Sequence, residues 1–225
     1  EAGANDFLTK PIDQSELKAR VRSLMQIKHV TDELDSAEAV LRSLALMIEV
    51  RDAYTEGHCQ RLAEYATEMG TLLGLPDDDL QALARGGYFH DIGKIALPDA
   101  ILLKPDALTD DEFERVKEHP VVGDRLCGDL RALHRVRSIV RHHHERLDGS
   151  GYPDGLKGDE IPLLAQIIGI VDVYDAMTTT RPYRAARSSE EALAALADEV
   201  SRGWRRADLV AVFAQSRRAA VVTAG

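Results

Sequence analysis

A chain of 225 residues is long enough for one domain of ordinary size plus a shorter appendage. Its 44% hydrophobic and 29% charged residues fit a globular protein, and a net charge of −10 argues against a protein that coats a nucleic-acid polymer. No apolar run approaches the ~20 residues of a membrane span, and two cysteines without a CxxC pair, Cys59 and Cys127, read as reduced thiols of a cytoplasmic protein.

The chain begins at Glu1 and not at Met, so an upstream region is expected. Residues 3–6 read as a turn and residues 7–9 as a very short strand that ends in Lys10-Pro11. A helix then opens at Asp13 or Ser15, with Glu16 in its first turn. This strand, its Lys-Pro end and the following helix resemble the last strand and helix of a response-regulator receiver domain. The resemblance implies a truncated receiver over residues 1–27. Its phosphorylated strand would lie upstream, and a sensor histidine kinase would act on it.

The helical pattern continues past residue 27. Ile27, Val30, Leu34, Ala37, Leu41, Leu44 and Ile48 are spaced three and four apart over about three heptads. Residues 28–50 are therefore a helical linker. It reads either as a coiled-coil seam that pairs two chains through residues 27–48, or as an amphipathic helix packed on its own domain. From Arg51 onward the pattern is almost wholly helical, and no strand-period alternation of useful length appears. The fold class is all-α, a multi-helix bundle. Helices are expected from Thr55 to Leu73, Asp77 to Asp91, Thr109 to about His119, Val121 to Cys127, Arg131 to Glu145, Leu163 to Met177, Ser189 to Ser201, and Ala207 to Ala214. Residues 216–225 read as a flexible tail.

Several polar residues extend the apolar rows of these helices. His58 continues Leu62, Tyr65, Met69 and Leu73. Asp91, preceded by His90, continues Leu80, Ala84 and Gly87. His143 and His144 follow Ile139 and Val140 by four residues each, and Asp172 follows Ile168 by four. Each such side chain should point inward, where an unpaired ionisable group costs several kcal/mol. Helices that aim His and Asp at one interior suggest one shared inorganic centre. At about 100° per residue, His143 and His144 straddle the buried direction, and His142 points away from it. His142 is read as solvated or as supporting its neighbours.

HDIGK (residues 90–94), HHE (143–145), DGSGYPDGLKGDEIP (148–162) and DVYDAMTTTRPYR (172–184) resemble the HD-GYP family, a branch of the HD metal-dependent phosphohydrolases. RDAYTEGH (51–58) and the His119-Pro120 pair fit the same pattern, and the likeness runs to about Phe213. The GYP loop is the discriminating motif, because an HD pair alone would admit many phosphohydrolases. The resemblance implies an HD-type helical phosphodiesterase domain over residues 51–215, built around a dinuclear metal site. Two divalent transition metals are implied, iron or manganese. His58, His90, Asp91 and Asp172 would hold one metal. His119, His143 and His144 would hold the second, with Asp91 bridging. Some members place a Glu four residues before the first His and bind a third metal. Here that position is Tyr54, so two metals are expected.

The implied reaction is hydrolysis of cyclic di-GMP to pGpG, and the step from pGpG to GMP is left open. A hydroxide bridging two cations would be the nucleophile. Lys94, with Asp91, would serve the reacting phosphate, and Arg181 and Arg184 would grip the dinucleotide phosphates. These cations would let a protein of charge −10 receive a dianion. Tyr152 would border the substrate without transferring a proton, Glu145 would orient a histidine, and Asp175 would support the ligands from the inward side of its helix. The GYP loop could also contact partner proteins. Two rival readings stand beside this one: a phosphohydrolase acting on another cyclic dinucleotide or a nucleotide, and a catalytically silent HD-GYP signalling module that binds partners.

Overall fold

The computed structural model describes residues 13–51, 57–128, 130, 133–180 and 185–223, and the side chains of all of these but 34–38 and 220–223. The expected strand at residues 7–9 lies outside the described residues. The chain divides into two compact units, Glu1–Ser43 and Leu44–Gly225. Among the described residues no helix is long and apolar enough to cross a membrane.

Helix α1 spans Gln14–Arg51. Asp13 starts it: its Oδ1 accepts the backbone N–H of Ser15 at 2.8 Å and of Glu16 at 2.9 Å, two of the donors that a helix start leaves unpaired. In the first unit the apolar positions Leu17, Val21, Leu24, Met25, Ile27 and Val30 are all exposed. Of the heptad row within the second unit, Leu44 is exposed and Ile48 is buried.

The second unit is all-helical among its described residues. α2 (His58–Leu72) and α3 (Asp77–Phe89) form an antiparallel pair joined by a turn through Gly74 and Pro76. A 3-10 turn (Ile92–Ala96) and α4 (Asp99–Leu102) lead to α5 (Asp110–Val116), α6 (His119–Gly128) and α7 (Arg137–His142). α8 (Leu163–Thr178), α9 (Ser189–Ser201) and α10 (Ala207–Thr223) complete it. α8 is the central element. Its sequence LLAQIIGIVDVYDAMT is apolar on nearly every face, and it packs on α2, α3, α7 and α9. The core joins Leu62, Met69, Leu83, Ile139, Ile168 and Leu196 to the edge-packed rings of Tyr65, Tyr174 and Phe213, whose centroids lie 5.0–6.2 Å apart. Each large side chain fully buried here stabilises the fold by about 1.5–3 kcal/mol.

Capping boxes fix two helix starts legible in the sequence, Thr109 with Glu112 at α5 and Ser188 with Glu191 at α9. The helix limits differ from expectation in several places, α5 ending at Val116 and α6 opening at His119 among them. α3 stops at Phe89, so Asp91 lies beyond the helix, with φ −100° and ψ 9°. α7 begins only at Arg137 and ends at His142. α4 is a short helix with no periodic signature. Finally, α10 continues to Thr223 where a tail was expected from residue 216. The reason is packing: Ser216 and Arg217 are buried, and the Arg217 guanidinium lies 4.4 Å from the Tyr65 ring centroid while pairing with Glu68. Spacing along the chain does not reveal such a contact.

Candidate metal centre

Five helices and one turn deliver the cluster. His58 is the first residue of α2, and His90 follows the last residue of α3. His119 opens α6, His143 and His144 follow α7, and Asp172 sits in the third turn of α8. Asp91 enters the 3-10 turn that carries Lys94. Helix ends suit this task, because side chains there can converge from different directions onto one point.

Two groups of ligand atoms result, each with its atoms within 4.8 Å of one another: His58, His90 and Asp172, and then Asp91, His119, His143 and His144. Asp91 faces both. Its Oδ2 lies 3.3 Å from His90 Nε2, and its Oδ1 lies 3.1 Å from His119 Nε2 and 3.8 Å from His143 Nε2. Lys94 Nζ pairs with the same Oδ2 at 2.7 Å.

The hydrogen bonds assign the tautomers. His90 Nδ1 lies 3.1 Å from Gly87 O, His119 Nδ1 2.7 Å from Val116 O, and His143 Nδ1 2.9 Å from Val140 O. A carbonyl only accepts, so each Nδ1 carries the proton and donates it. His58 Nδ1 faces the Asp175 carboxylate at 2.8 Å and donates likewise. In the neutral ring each Nε2 is then a bare lone pair. His58 Nε2 and His90 Nε2 face one another at 3.4 Å, lone pair against lone pair. His119 Nε2, His143 Nε2 and Asp91 Oδ1 are buried without a hydrogen bond. Orphaned acceptors converging in a protein interior are costly unless a cation answers them. The residues present therefore fit a pair of divalent cations. Imidazole and carboxylate donors suit iron, manganese or zinc.

The electrostatics hold Asp91 ionised and His144 neutral, while they favour a proton on His90. Burial opposes ionisation of Asp91, but the Lys94 ammonium and His90 hold its carboxyl well below the usual carboxylate range. Burial pulls the His90 pKa down, and the carboxylates of Asp91 and Asp172 outweigh it and raise it. Burial, with His143 and His119 alongside, holds His144 well below the ordinary imidazole range, so it stays an unprotonated donor. Burial pushes the Tyr152 phenol up, so it keeps its proton.

All seven residues expected as ligands meet in the cluster, and Lys94 stands beside it. Tyr152 lies against it, with its ring 4.7 Å from that of His144. Arg181, Arg184 and Tyr54 lie outside the described residues. His142 turns away to Asp154 at 3.1 Å and to Ser138 O at 3.0 Å. Asp175 holds His58 and also accepts both arms of Arg61, at 2.6 and 2.9 Å. Arg61 was not anticipated, although its place one turn after His58 on α2 was a usable signal.

Glu145 departs from expectation. Its carboxylate orients no histidine. It accepts the backbone N–H of Asp154 at 2.7 Å, Gly155 at 3.1 Å and Leu156 at 3.1 Å, and so ties down the loop after Tyr152. Glu145→Ala should cost about 2 kcal/mol. Thermal unfolding of the purified chain should show a midpoint lower by roughly 4–8 °C, and an unchanged midpoint would remove this anchoring role.

Residues 42–205 match the HD domain family. A cyclic di-GMP phosphodiesterase response regulator, RpfG, of Xanthomonas campestris is 39% identical over 217 residues, covering 87% of this chain and 57% of that protein. The 3'3'-cGAMP-specific phosphodiesterase 3 of Vibrio cholerae is 36% identical over 169 residues, covering 74% of this chain and 37% of that protein. Among solved structures, Bd1817, a HDG"Y"P protein from Bdellovibrio bacteriovorus, superposes with a TM-score of 0.59 at 22% identity over 72% of this chain and 51% of that one, which shows a shared fold. The chain spans about half the length of the curated relatives it matches.

Proposed function

Because the chain belongs to the HD domain family, we propose that it is a metal-dependent phosphodiesterase of the HD-GYP branch that hydrolyses cyclic di-GMP to pGpG, with the step on to GMP left open. One observation carries the metal part of this reading: Nε2 atoms and a two-faced Asp91 carboxylate converge, and His119 Nε2, His143 Nε2 and Asp91 Oδ1 are buried there without a hydrogen-bond partner. The names of the relatives carry the substrate part.

When bound, two cations would supply a nucleophile available at neutral pH and neutralise charge on the phosphoryl oxygens. The chain's own residues do the rest. Asp91 would join the two sites, with one oxygen toward each group. His58, His90 and Asp172 would hold one cation, and His119, His143 and His144 the other. Lys94, held at Asp91, would donate to a non-bridging phosphate oxygen. Tyr152, a neutral phenol beside His144, would contact the dinucleotide without moving a proton. Arg181 and Arg184 are proposed to grip its phosphates.

The name of the RpfG relative supports a response regulator; a cytoplasmic location, and residues 1–27 as the end of a receiver that a sensor kinase phosphorylates, are proposed with it. Residues 27–48 are proposed to pair two chains, with Ile27, Val30 and Leu44 of the row exposed on α1, and the GYP loop to meet protein partners. A second reading is favoured by the V. cholerae relative, whose substrate is 3'3'-cGAMP.

Elemental analysis and hydrolysis assays on one anaerobic sample test the proposal. About two transition metals per chain with pGpG formation is the expected result. Faster turnover of 3'3'-cGAMP would transfer the reading to that substrate. Two metals with no turnover of either dinucleotide would leave the silent, partner-binding module. No metal after reconstitution with iron and with manganese would sink the centre.

A further inference from the structure

Glu49 stands in the last turn of α1 and is only 7% exposed. Its Oε1 accepts the backbone N–H of His58 at 2.6 Å and of Cys59 at 3.4 Å. These are the first two N–H groups of α2, which have no partner inside their own helix. The residue that would normally cap them is Gly57. It has no side chain, and it sits at φ 73°, where a Ser, Thr or Asp would be strained. So α2 takes its cap from a different helix, nine residues upstream.

The position of that cap matters more than its stability. The residue being held is His58, whose ring is gripped at Nδ1 by Asp175. One carboxylate fixes the backbone and another fixes the ring. Together they leave Nε2 as the ring atom directed at His90 and Asp172. Glu49 also borders a small cavity of about 20 Å³ together with His58, His90, Asp91 and Lys94. A charged acceptor on backbone N–H groups makes short, strong hydrogen bonds, so the depth of His58 is set firmly.

We propose that Glu49 is a positioning residue of the metal centre: by holding the backbone of His58 from α1 it sets the affinity of the His58–His90–Asp172 site for a divalent cation. The inference rests on the reading of His58 as a ligand. Partners that orient ligands typically change metal affinity about 10- to 100-fold when removed, and that is the loss expected for Glu49→Ala.

The test titrates manganese(II) alone into the metal-stripped full chain, followed by calorimetry and by the manganese spin-resonance spectrum. Glu49→Ala should weaken one site about 10- to 100-fold. Glu49→Gln, whose amide oxygen still accepts, should restore binding to within a few-fold. Ser188→Ala removes the cap of α9, whose side-chain hydrogen bonds run to Glu191. It should lower the unfolding midpoint while leaving manganese affinity unchanged. Should Glu49→Ala fail to fold, Glu49→Asp keeps the charge and retracts the carboxylate, and it should show an intermediate loss. Wild-type affinity in Glu49→Ala or in Glu49→Asp, or an equal loss in Ser188→Ala, overturns the proposal. A folded wild-type chain that binds no manganese overturns the ligand reading and this inference with it, and so is told apart from failure of Glu49 alone.

Discussion

Asp91→Ala is expected to empty both cation sites at once and to abolish turnover. The carboxylate is shared: Oδ2 faces His90 and Lys94, and Oδ1 faces His119 and His143. Removing it separates two groups that no other side chain joins in this way among the described residues. It also leaves the Lys94 ammonium without its 2.7 Å partner, so a positive charge then sits where cations should bind. Turnover should fall by about 10³-fold or more, the scale of losing a principal electrostatic contact at a reacting centre. Metal content should drop from about two per chain to near zero. Asp91→Asn separates charge from shape. It keeps the volume and one acceptor, and it should retain fold and thermal stability while losing most metal. The check is metal analysis beside a hydrolysis assay. Retention of one full metal in Asp91→Ala would mean that Asp91 serves a single site and does not bridge.

Gly93→Ala is the second large effect, and it acts through packing. A Cβ at Gly93 would fall well inside contact distance of the His119 carbonyl oxygen and 2.6 Å from the Gly123 nitrogen. Both are backbone atoms of α6 and cannot rotate away. The 3-10 turn bearing Asp91 and Lys94 would have to separate from the helix that begins with His119. Overpacking against backbone of this kind costs about 3 kcal/mol, or roughly 6–12 °C in the unfolding midpoint of a chain this size. The same shift would widen the 3.1 Å approach of His119 to Asp91, so the second cation site should weaken even where the protein still folds. Thermal unfolding of the metal-stripped chain, followed by metal titration, reads the two effects separately. A stable variant with intact metal binding would show that the turn and α6 do not need this approach.

Much of the centre was legible before folding, for a simple reason. His58, His143, His144 and Asp172 interrupt apolar rows at helical spacing, and an ionisable side chain in such a row must point into the core. Burial of His58 and His143 follows from that rule. Periodicity also reached the extent of α8 and the start of α9 within a residue or so, because a central apolar helix and a capping box are local signals. Asp91 was reached with the wrong geometry. It was read as a helical residue in line with Gly87, but it stands past the end of α3. His119 was assigned only by resemblance, since its Pro120 neighbour and helix-start position give no periodic row.

What sequence could not supply are contacts between residues far apart in the chain. Glu145 reads as a neighbour of two histidines, yet its carboxylate closes on residues 154–156. Glu49 caps a helix that is not its own, and Arg61 meets Asp175 across 114 positions. Spacing along one helix establishes which face is buried, and hence the all-helical class and the inward histidines. Which carboxylate serves which backbone or ring depends on how helices cross, and that is set by packing of the whole core around α8 rather than by any local pattern.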